Sequence, residues 1–269
     1  MESSYLLPGF LGFLLVVNVL FARGRQEVSF YRNYNVTWGN AHFSSLYDDA
    51  EVQLTLDQTS GAGFESKSYY RSGLFQMRIK IPEQKSPGVL TSFYLTSRKV
   101  LHDELDFEFI GSNGPPYSLS TNVYTKGVGG REQKIRLWFF VDKIPIRVFK
   151  NLGIKGTYPT QAMQVVGTIW NAEDWAGKID WSKAPFTAHF QGFDINGCVV
   201  PDVLDPGSFR GCYYNHRNAW WSWRANQTLT RRQGMQYRNV RRKYLDYDYC
   251  SDRTRYPVPF PECQAPTGI

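Results

Sequence analysis

Short segments of alternating apolar and polar residues follow one another from Val28 to about Phe193. Three of them are 52–56, 75–81 and 144–149, and clusters of Gly, Pro, Asn or Asp separate such segments. A period of two is typical of strands that bury one face and expose the other, so the pattern predicts short strands joined by turns. A long succession of them predicts an all-β sandwich.

The pattern changes after Cys212. Residues 229–244 are rich in Arg, lack Pro and contain a ragged apolar stripe, which predicts one helix. The stripe consists of Leu229, Met235, Val240 and Tyr244. Gly234 lowers the helix propensity of this segment by up to about 1 kcal/mol relative to Ala. Residues 256–266 are rich in Pro and are predicted to lie extended over the surface.

An apolar run near the start of the chain predicts secretion. It extends from Gly9 to Ala22, and only Asn18 interrupts it. The run is too short to span a bilayer comfortably but fits the apolar region of a signal peptide. Ala22 and Gly24 supply the small residues that a cleavage site before Arg25 requires. We therefore expect residues 1–24 to be a signal peptide, with an uncleaved anchor as the alternative.

The chain is basic, with a formal net charge of +7 and a pI of about 9.2. Such a balance is compatible with nucleic acid, an acidic polysaccharide or an anionic surface as partner. A signal peptide favours an extracellular partner, so the Arg-rich segment 229–244 is interpreted as a solvated helix face. We expect no nucleic-acid partner, and no membrane association once the signal peptide is removed.

Four cysteines lie in the last third of the chain: Cys198, Cys212, Cys250 and Cys263. An even number in an oxidising compartment predicts two disulfides, and four cysteines allow three pairings. The sequential pairing closes two short loops and would contribute about 3 kcal/mol for each loop. Zinc spacings of the CxxC and HxxxH types are absent, so no metal is expected. Two sequons predict glycans at Asn35 and Asn226.

The strongest chemical signal is the run from His102 to Phe109, HDELDFEF. In a strand, Glu104, Asp106 and Glu108 leave the same face, whereas the three apolar residues between and after them leave the other. Like charges on one face repel each other, and a solvated face would normally include Lys or Arg. The run therefore predicts a catalytic carboxylate strand.

The spacing of the two glutamates favours a retaining glycosidase. Four residues at about 3.3 Å each place the Cα atoms of Glu104 and Glu108 about 13 Å apart. If the side chains lean together, their carboxyl groups are separated by roughly 5–6 Å, close to the 5–5.5 Å of retaining enzymes. Asp106 between them would keep the two pKa values apart, and the crowding should raise the pKa of the acid.

The run and its context resemble the plant xyloglucan endotransglucosylase/hydrolases of glycoside hydrolase family sixteen. Their signature, H-D-E-[aliphatic]-D-F-E-F-[aliphatic]-G, is present without a mismatch from His102 to Gly111. The resemblance extends over nearly the whole mature chain. It includes the segments 66–67, 121–124, 131–133, 170–176, 249–250 and 255–257, together with Asp252.

The resemblance implies specific roles for residues of this chain. Glu104 would be the nucleophile, Glu108 the general acid/base and Asp106 the assisting carboxylate. The implied glucan-binding positions are Ser120, Thr121, Asn122, Arg131, Glu132, Asp174, Trp175, Gly177 and Arg255. The sequential disulfides Cys198–Cys212 and Cys250–Cys263 are those of the family, which requires no metal or organic cofactor.

The resemblance also implies a fold and a function. The expected fold is all-β, a curved β-jelly-roll sandwich of the concanavalin type with an open cleft, in residues 25–200. A short helix-containing extension closed by disulfides would occupy residues 201–269. We expect a secreted monomer that cleaves xyloglucan and transfers the glycosyl-enzyme to another xyloglucan chain in the cell wall or apoplast.

Several features depart from the family pattern. About twenty residues are missing between Phe139 and Phe140, the loop after Trp175 is a few residues short, and Ser120 replaces the usual Gln. Members that mainly hydrolyse tend to have a longer loop after Trp175, so the short one favours transfer. The missing segment predicts a lost strand and a defect near the cleft. The alternatives are therefore a glucan-binding protein with lost or weak turnover, or a mainly hydrolytic member.

Overall fold

The computed structural model describes residues 27–137, 144–154, 156–203, 208, 212 and 229–264. The predicted signal peptide 1–24, the junction Phe139–Phe140 and the sequon at Asn226 lie outside the described residues. The second sequon begins at Asn35, which is exposed. Within the described ranges, no helix is long and apolar enough to cross a membrane.

Fourteen strands form most of the regular structure of the described residues. They are β1 (Tyr34–Trp38), β2 (Phe43–Leu46), β3 (Glu51–Leu56), β4 (Ala62–Ser66), β5 (Tyr69–Phe75), β6 (Arg78–Lys80), β7 (Val89–Thr96), β8 (Glu104–Ile110), β9 (Tyr117–Tyr124), β10 (Gln133–Leu137), β11 (Gln164–Asn171), β12 (Phe186–Gln191), β13 (Ile195–Val200) and β14 (Leu245–Asp248). The helices are α1 (Phe30–Asn33), α2 (Arg231–Tyr244) and α3 (Pro261–Gln264), with 3₁₀ turns at Asn40–His42 and Trp181–Lys183.

The strands assemble into one large antiparallel sheet and two smaller ones. The large sheet has the order β1-β4-β11-β7-β8-β9-β10-β14, and the smaller sheets have the orders β2-β3-β12-β6 and β13-β5. The predicted carboxylate run forms β8, near the centre of the large sheet. Both of its edges are hydrogen-bonded, to β7 and to β9. A strand fixed on both sides holds its side chains at a defined spacing.

The core lies where β4 and β11 of the large sheet face β3 and β12 of the four-stranded sheet. The rings of Phe64 on β4 and Phe190 on β12 meet edge to face at 5.2 Å. Phe30 of α1 packs against Phe64 at 5.3 Å and against Phe193 at 5.2 Å. All four rings are fully buried. Burying a Phe side chain stabilises a fold by about 1.5–3 kcal/mol, so this cluster joins the two layers of the predicted sandwich.

The structure agrees with only some of the three segments that the alternating pattern predicts to be strands. The prediction for 52–56 is confirmed by β3, whereas 75–81 divides into the end of β5 and the short β6. The prediction for 144–149 is wrong, because these residues form no strand. An alternating pattern becomes a strand only where a neighbour offers backbone partners. None of the described strands pairs with this segment.

The back face of the carboxylate strand is incompletely covered. Leu105 and Phe107 of β8 and Phe93 of β7 are only partly buried, although they point away from the face that carries the carboxylates. Together with neighbouring aromatic and aliphatic side chains they line a cavity of about 540 Å³. A complete sandwich would fill this space with side chains. The opening agrees with the loss of regular pairing in 144–149.

The predicted C-terminal helix is confirmed as α2, but its buried face differs from the predicted stripe. Thr230 caps its start in a capping box, in which the hydroxyl accepts from the Gln233 N–H at 3.3 Å. The buried residues are Gly234, Tyr237 and Val240. Met235 is 51% exposed, because a helix turns about 100° per residue and Gly234 and Tyr237 define the inner face.

The disulfides have the sequential pairing, Cys198–Cys212 and Cys250–Cys263. The second one joins the turn after β14 to α3. The prediction of a fully extended tail is wrong within 256–264, because Pro261 begins a helical turn. Proline is favoured at the first helical position, where no backbone donor is needed.

Restoring a family-length insert of about twenty residues between Phe139 and Phe140 should stabilise the protein. The insert is expected to supply pairing partners for 144–149 and to cover Phe93, Leu105 and Phe107. In a domain of this size, each 1 kcal/mol raises the Tm by roughly 2–4 °C. We expect a rise of at least about 4 °C by calorimetry.

An insert of equal length made of Gly and Ser is the matched control, since it adds chain without apolar residues. Equal melting temperatures for the parent and the family-like variant would show that the missing segment is dispensable for stability.

Candidate active site

The antiparallel register places the three carboxylates on one face of the large sheet. Glu104 lies opposite Tyr124 of β9, Asp106 opposite Asn122, and Glu108 opposite Ser120. On the other side they face Thr96, Tyr94 and Ser92 of β7. Residues directly opposite in a ladder point to the same face, so these neighbours share the surface of the carboxylates.

Asp103 fixes the point at which the chain enters the carboxylate strand. Its side chain is buried and accepts backbone N–H groups of Lys126 at 2.8 Å, Thr160 at 2.5 Å and Gln161 at 2.8 Å. Ser97 accepts the N–H of Asp103 at 3.0 Å. The carboxylate thereby ties two distant loops to the start of β8.

The carboxylates line an open cleft of about 480 Å³. Its walls combine the acidic row with aromatic and small polar side chains. The lining consists of Trp38, Ser92, Tyr94, Glu104, Asp106, Glu108, Asn122, Tyr124, Thr168 and Trp170. Aromatic rings around a row of carboxylates are suited to a sugar chain, since each ring offers an apolar face and the carboxylates accept hydroxyl protons.

Asp106 retains its proton more strongly than an ordinary aspartate. Burial raises the pKa of Asp106 well above its usual range, and the charges of Glu104 and Glu108 raise it further. A hydrogen bond to Glu104 acts in the same direction, since it requires the proton. Two adjacent carboxylates cannot both ionise easily in a desolvated site, so Asp106 can donate to Glu104.

Glu108 also has a raised pKa. Burial is the main cause, and the charges of Glu132 and Glu104 add to it. A hydrogen bond from Ser120 and the charge of Lys134 partly oppose the shift. The crowding predicted from the sequence therefore has the expected direction, but burial contributes more than the neighbouring carboxylates. A carboxyl group that stays protonated can serve as a general acid.

Four of the predicted sugar-binding residues lie around the same end of the cleft. Ser120 and Asn122 alternate along β9 on the carboxylate face. The Ser120 hydroxyl donates to Glu132 at 3.3 Å, and Arg255 contacts the other oxygen of Glu132 at 3.5 Å. The C-terminal segment thus reaches the site through Arg255.

Thr121 and Arg131 are placed away from the cleft. Thr121 lies opposite Phe107, faces the back of the sheet and is only 1% exposed. Its hydroxyl and carbonyl oxygens accept hydrogen bonds from the Arg147 guanidinium at 2.7 and 2.6 Å, respectively. Arg131 is buried and pairs with Glu262 at 2.5 Å. The register explains the position of Thr121, because neighbouring residues of a strand face opposite sides.

Trp175 lies beside the cleft, next to one of its lining residues. It is 44% exposed, and its ring centroid is 6.5 Å from that of Trp170. Trp170 in turn donates its indole N–H to Ser92 at 3.3 Å, directly opposite Glu108. Asp174 and Gly177 are exposed on the same loop. Gly177 has a φ of 109°, a conformation that favours glycine.

Sequence reasoning missed several residues that line the cleft. They are Trp38, Ser92, Tyr94, Tyr124, Thr168 and Trp170. All lie on strands adjacent to the carboxylate strand or further along the same sheet. The aromatic surplus was visible in the sequence, but the strand order that gathers these rings was not. Within the described ranges, no group of three or more His, Cys, Asp or Glu is placed to hold a metal ion.

Comparison with known proteins identifies two regions. Residues 30–183, more than half of the chain, match the model for glycosyl hydrolases family 16. Residues 215–263 match the model for the xyloglucan endo-transglycosylase C-terminus. Among solved structures, a Bacillus licheniformis β-glucanase is similar with a TM-score of 0.48 and 22% identity, covering 59% of this chain and 84% of that protein.

Curated plant proteins align over most of the length. Xyloglucan endotransglucosylase/hydrolase protein 2 of Arabidopsis thaliana is 46% identical, covering 90% of this chain and 91% of that protein. A probable xyloglucan endotransglucosylase/hydrolase of Nicotiana tabacum is 41% identical, covering 90% of each. The Arabidopsis alignment has 270 positions but uses only 90% of 269 residues, about 242, so its gaps in this chain total about 28 positions.

A shortfall of that size fits a chain that lacks about twenty residues after Phe139 and a few after Trp175. Within the signature, Glu104–Ile110 form a strand near the centre of the large sheet, and the acidic side chains of that strand line the cleft. The chain belongs to glycosyl hydrolase family 16 and, within it, to the xyloglucan endotransglucosylase/hydrolases.

Proposed function

We propose that this protein cleaves the β-1,4-glucan backbone of xyloglucan and transfers the resulting glycosyl group to another xyloglucan chain. The observation that carries the proposal is the cleft in which Glu104, Asp106 and Glu108 leave one strand face among aromatic side chains. The names of the aligned relatives supply the substrate. Construction and remodelling of the plant cell wall would be the corresponding role.

The first step forms a covalent intermediate. A carboxylate oxygen of Glu104 attacks the anomeric carbon while the bond from that carbon to the glycosidic oxygen breaks. Glu108 transfers its proton to the departing oxygen, which leaves as a hydroxyl group of the released chain. Asp106 donates a hydrogen bond to Glu104, which orients the nucleophile, and the raised pKa of Glu108 keeps its proton available.

The second step regenerates the enzyme. Glu108, now a carboxylate, takes the proton from an acceptor hydroxyl as that oxygen attacks the anomeric carbon. The bond to Glu104 breaks, and the anomeric configuration is restored by the second inversion. An acceptor sugar gives transfer, and water gives hydrolysis. The short loop after Trp175 supports transfer, since mainly hydrolytic members tend to have a longer one.

A second candidate is a xyloglucan-binding protein with weak or no turnover. The specific observation in its favour is the back face of the carboxylate strand, where 144–149 form no strand and a cavity of about 540 Å³ remains. A loosely supported strand would hold its carboxylates less accurately, and a misplacement of about 1 Å can reduce the rate 100-fold. The cleft itself would still bind glucan.

The proposed setting is extracellular. Residues 1–24 would direct secretion to the apoplast and cell wall, 25–200 would form the catalytic sandwich and 201–269 the C-terminal extension. Exposed Asn35 would carry a glycan, and Asn226 would carry a second one. The two disulfides fit an oxidising compartment. We propose that the protein acts as a monomer.

One assay distinguishes the candidates. Purified protein is incubated with xyloglucan, with and without a labelled xyloglucan oligosaccharide acceptor. We expect label to enter polymeric product faster than new reducing ends appear. A faster release of reducing ends would identify a hydrolase, and binding without either product would identify the binding protein.

Glu104→Gln should abolish turnover and spare glucan binding. The amide keeps the shape of the side chain but cannot form the glycosyl ester, so kcat should fall at least about a thousandfold. Glu83→Gln is the matched control, because Glu83 is exposed, pairs with Lys80 and lies far from the cleft. If Glu104→Gln retained more than about a tenth of the parent rate, the nucleophile assignment would be wrong.

Trp175→Ala should weaken binding of a xyloglucan oligosaccharide about tenfold, because an exposed ring beside Trp170 would lose its stacking contact with a sugar. Calorimetric titration of the Glu104→Gln background measures this affinity without turnover. Tyr47→Ala is the control, since Tyr47 is 75% exposed on the β2–β3 turn. Unchanged affinity in a folded Trp175→Ala variant would reject the stacking role.

A further inference from the structure

A second carboxylate group lies close to Glu108, across the sheet rather than along its own strand. Ser120 lies directly opposite Glu108 on β9, and Lys134 lies directly opposite Ser120 on β10. Glu132 is two residues before Lys134 and therefore shares its side of the chain. The Ser120 hydroxyl donates to Glu132 at 3.3 Å, whereas a hydrogen bond from the same hydroxyl to Glu108 lowers the pKa of Glu108. One hydroxyl thus connects two acidic side chains.

A single hydroxyl has one proton to donate, and Ser120 is only 1% exposed, so water does not readily supply another donor. With the hydroxyl proton directed to Glu132, the serine oxygen remains as an acceptor. A protonated Glu108 can donate to that oxygen, whereas an ionised Glu108 would compete with Glu132 for the same proton. The arrangement therefore favours a proton on Glu108.

Two cations lie against the Glu132 carboxylate. The Lys134 ammonium is 3.2 Å from one carboxylate oxygen, and the Arg255 guanidinium is 3.5 Å from the other. The Glu132 side chain is 20% exposed and that of Lys134 is 34% exposed. Charges in such a partly buried position are less screened by salt than surface charges are.

We propose that Glu132 is a positioning residue that, through the Ser120 hydroxyl, holds the catalytic proton on Glu108. Lys134 opposes Glu132, because its positive charge on the same face stabilises an ionised Glu108. The proposal rests on the proposed assignment of Glu108 as the acid/base. It gives Ser120, which replaces the usual Gln of the family pattern, a role in proton control as well as in sugar binding.

Other groups that face Glu108 do not supply an equivalent charge. They are Glu104 and Asp106 on its own strand, Ser92 and Tyr94 on β7, Asn122 and Tyr124 on β9, Trp170 on β11, and Arg255 from the C-terminal segment. Burial and the charges of Glu104 and Glu108 raise the pKa of Asp106, which reduces its negative charge, and burial raises the pKa of Tyr94 to about 12. After burial, Glu132 contributes more than Glu104 to the raised pKa of Glu108.

The test is a pair of charge removals with opposite expected signs. The alkaline limb of the pH profile of kcat/KM reports the acid of the free enzyme. Glu132→Gln should move this limb to lower pH, and Lys134→Gln should move it to higher pH. Glu132→Asp keeps the negative charge, so its alkaline limb should lie close to that of the parent. A role of Glu132 in sugar binding alone would change KM and leave the limb in place.

The route through the hydroxyl is tested in a Ser120→Ala background. There, Glu132→Gln should displace the limb less than it does in the parent, because the shared proton is absent. An undiminished displacement would overturn the part assigned to Ser120. If the alkaline limb lies at the same pH in the parent, Glu132→Gln and Lys134→Gln, the proposal as a whole is overturned.

A direct titration separates this proposal from the proposed function. The side-chain carboxyl of Glu108 is followed by ¹³C NMR and assigned by its disappearance in Glu108→Gln. If the titration midpoint of Glu108 moves in opposite directions in Glu132→Gln and Lys134→Gln, the proton control is supported. This holds even if the chain turns over no glucan, in which case only the proposed function fails. Absence of displacement in a chain that does turn over xyloglucan rejects the proton control alone.

Discussion

Repulsion among three carboxylates on one strand face is the constraint around which the site is arranged. Burial in the cleft strengthens this repulsion, because charges interact more strongly where the dielectric constant is low. Burial also removes water that would solvate each charge. Burial and the charges of Glu104 and Glu108 raise the pKa of Asp106, which favours a proton there and a hydrogen bond to Glu104. A double displacement requires different protonation states for its nucleophile and its acid, and a raised pKa at one position of the row favours such a difference.

The sheet holds the row together despite the repulsion. Full ladders on both sides of β8 fix its backbone, and buried Asp103 fixes its entry through three backbone N–H donors. Side chains of the opposite face would normally add hydrophobic anchoring. Here that anchoring is partial, because Leu105 and Phe107 line a cavity. The polar ladder and the Asp103 contacts therefore carry a larger share of the positioning.

The C-terminal segment supports the side of the cleft on which Glu108 lies. β14 adds an edge strand next to β10, and Arg241 of α2 pairs with Asp248 at 2.5 Å. Arg131 is held between Glu262 and the ring of Phe260, 4.6 Å from its guanidinium carbon. These contacts fix the backbone around Glu132. Buried ion pairs add less net stability than their geometry suggests, but the loss of one partner costs about 3–5 kcal/mol.

Some features of the site follow from the local sequence pattern, and others follow only from the tertiary structure. The alternation from Glu104 to Phe109 requires only the two-residue period of a strand, so the sequence alone determined that the three carboxylates would share a face. The capping box at Thr230 and the β3 strand are local in the same sense. By contrast, Trp170 and Tyr94 join the cleft only because β11 and β7 lie beside β8, and that order is set by long-range packing.

Placement of the predicted sugar-binding residues depended on register. Thr121 faces the back of the sheet although its neighbours Ser120 and Asn122 face the cleft, since side chains alternate along β9. Residues 144–149 alternate as a strand should, yet they form none, because a strand exists only with a partner to pair with. The sequence by itself determined that three carboxylates would form a row on one strand face. Only the tertiary structure decided which groups stand across from that row, because hydrogen-bonded neighbours are chosen by the whole sheet.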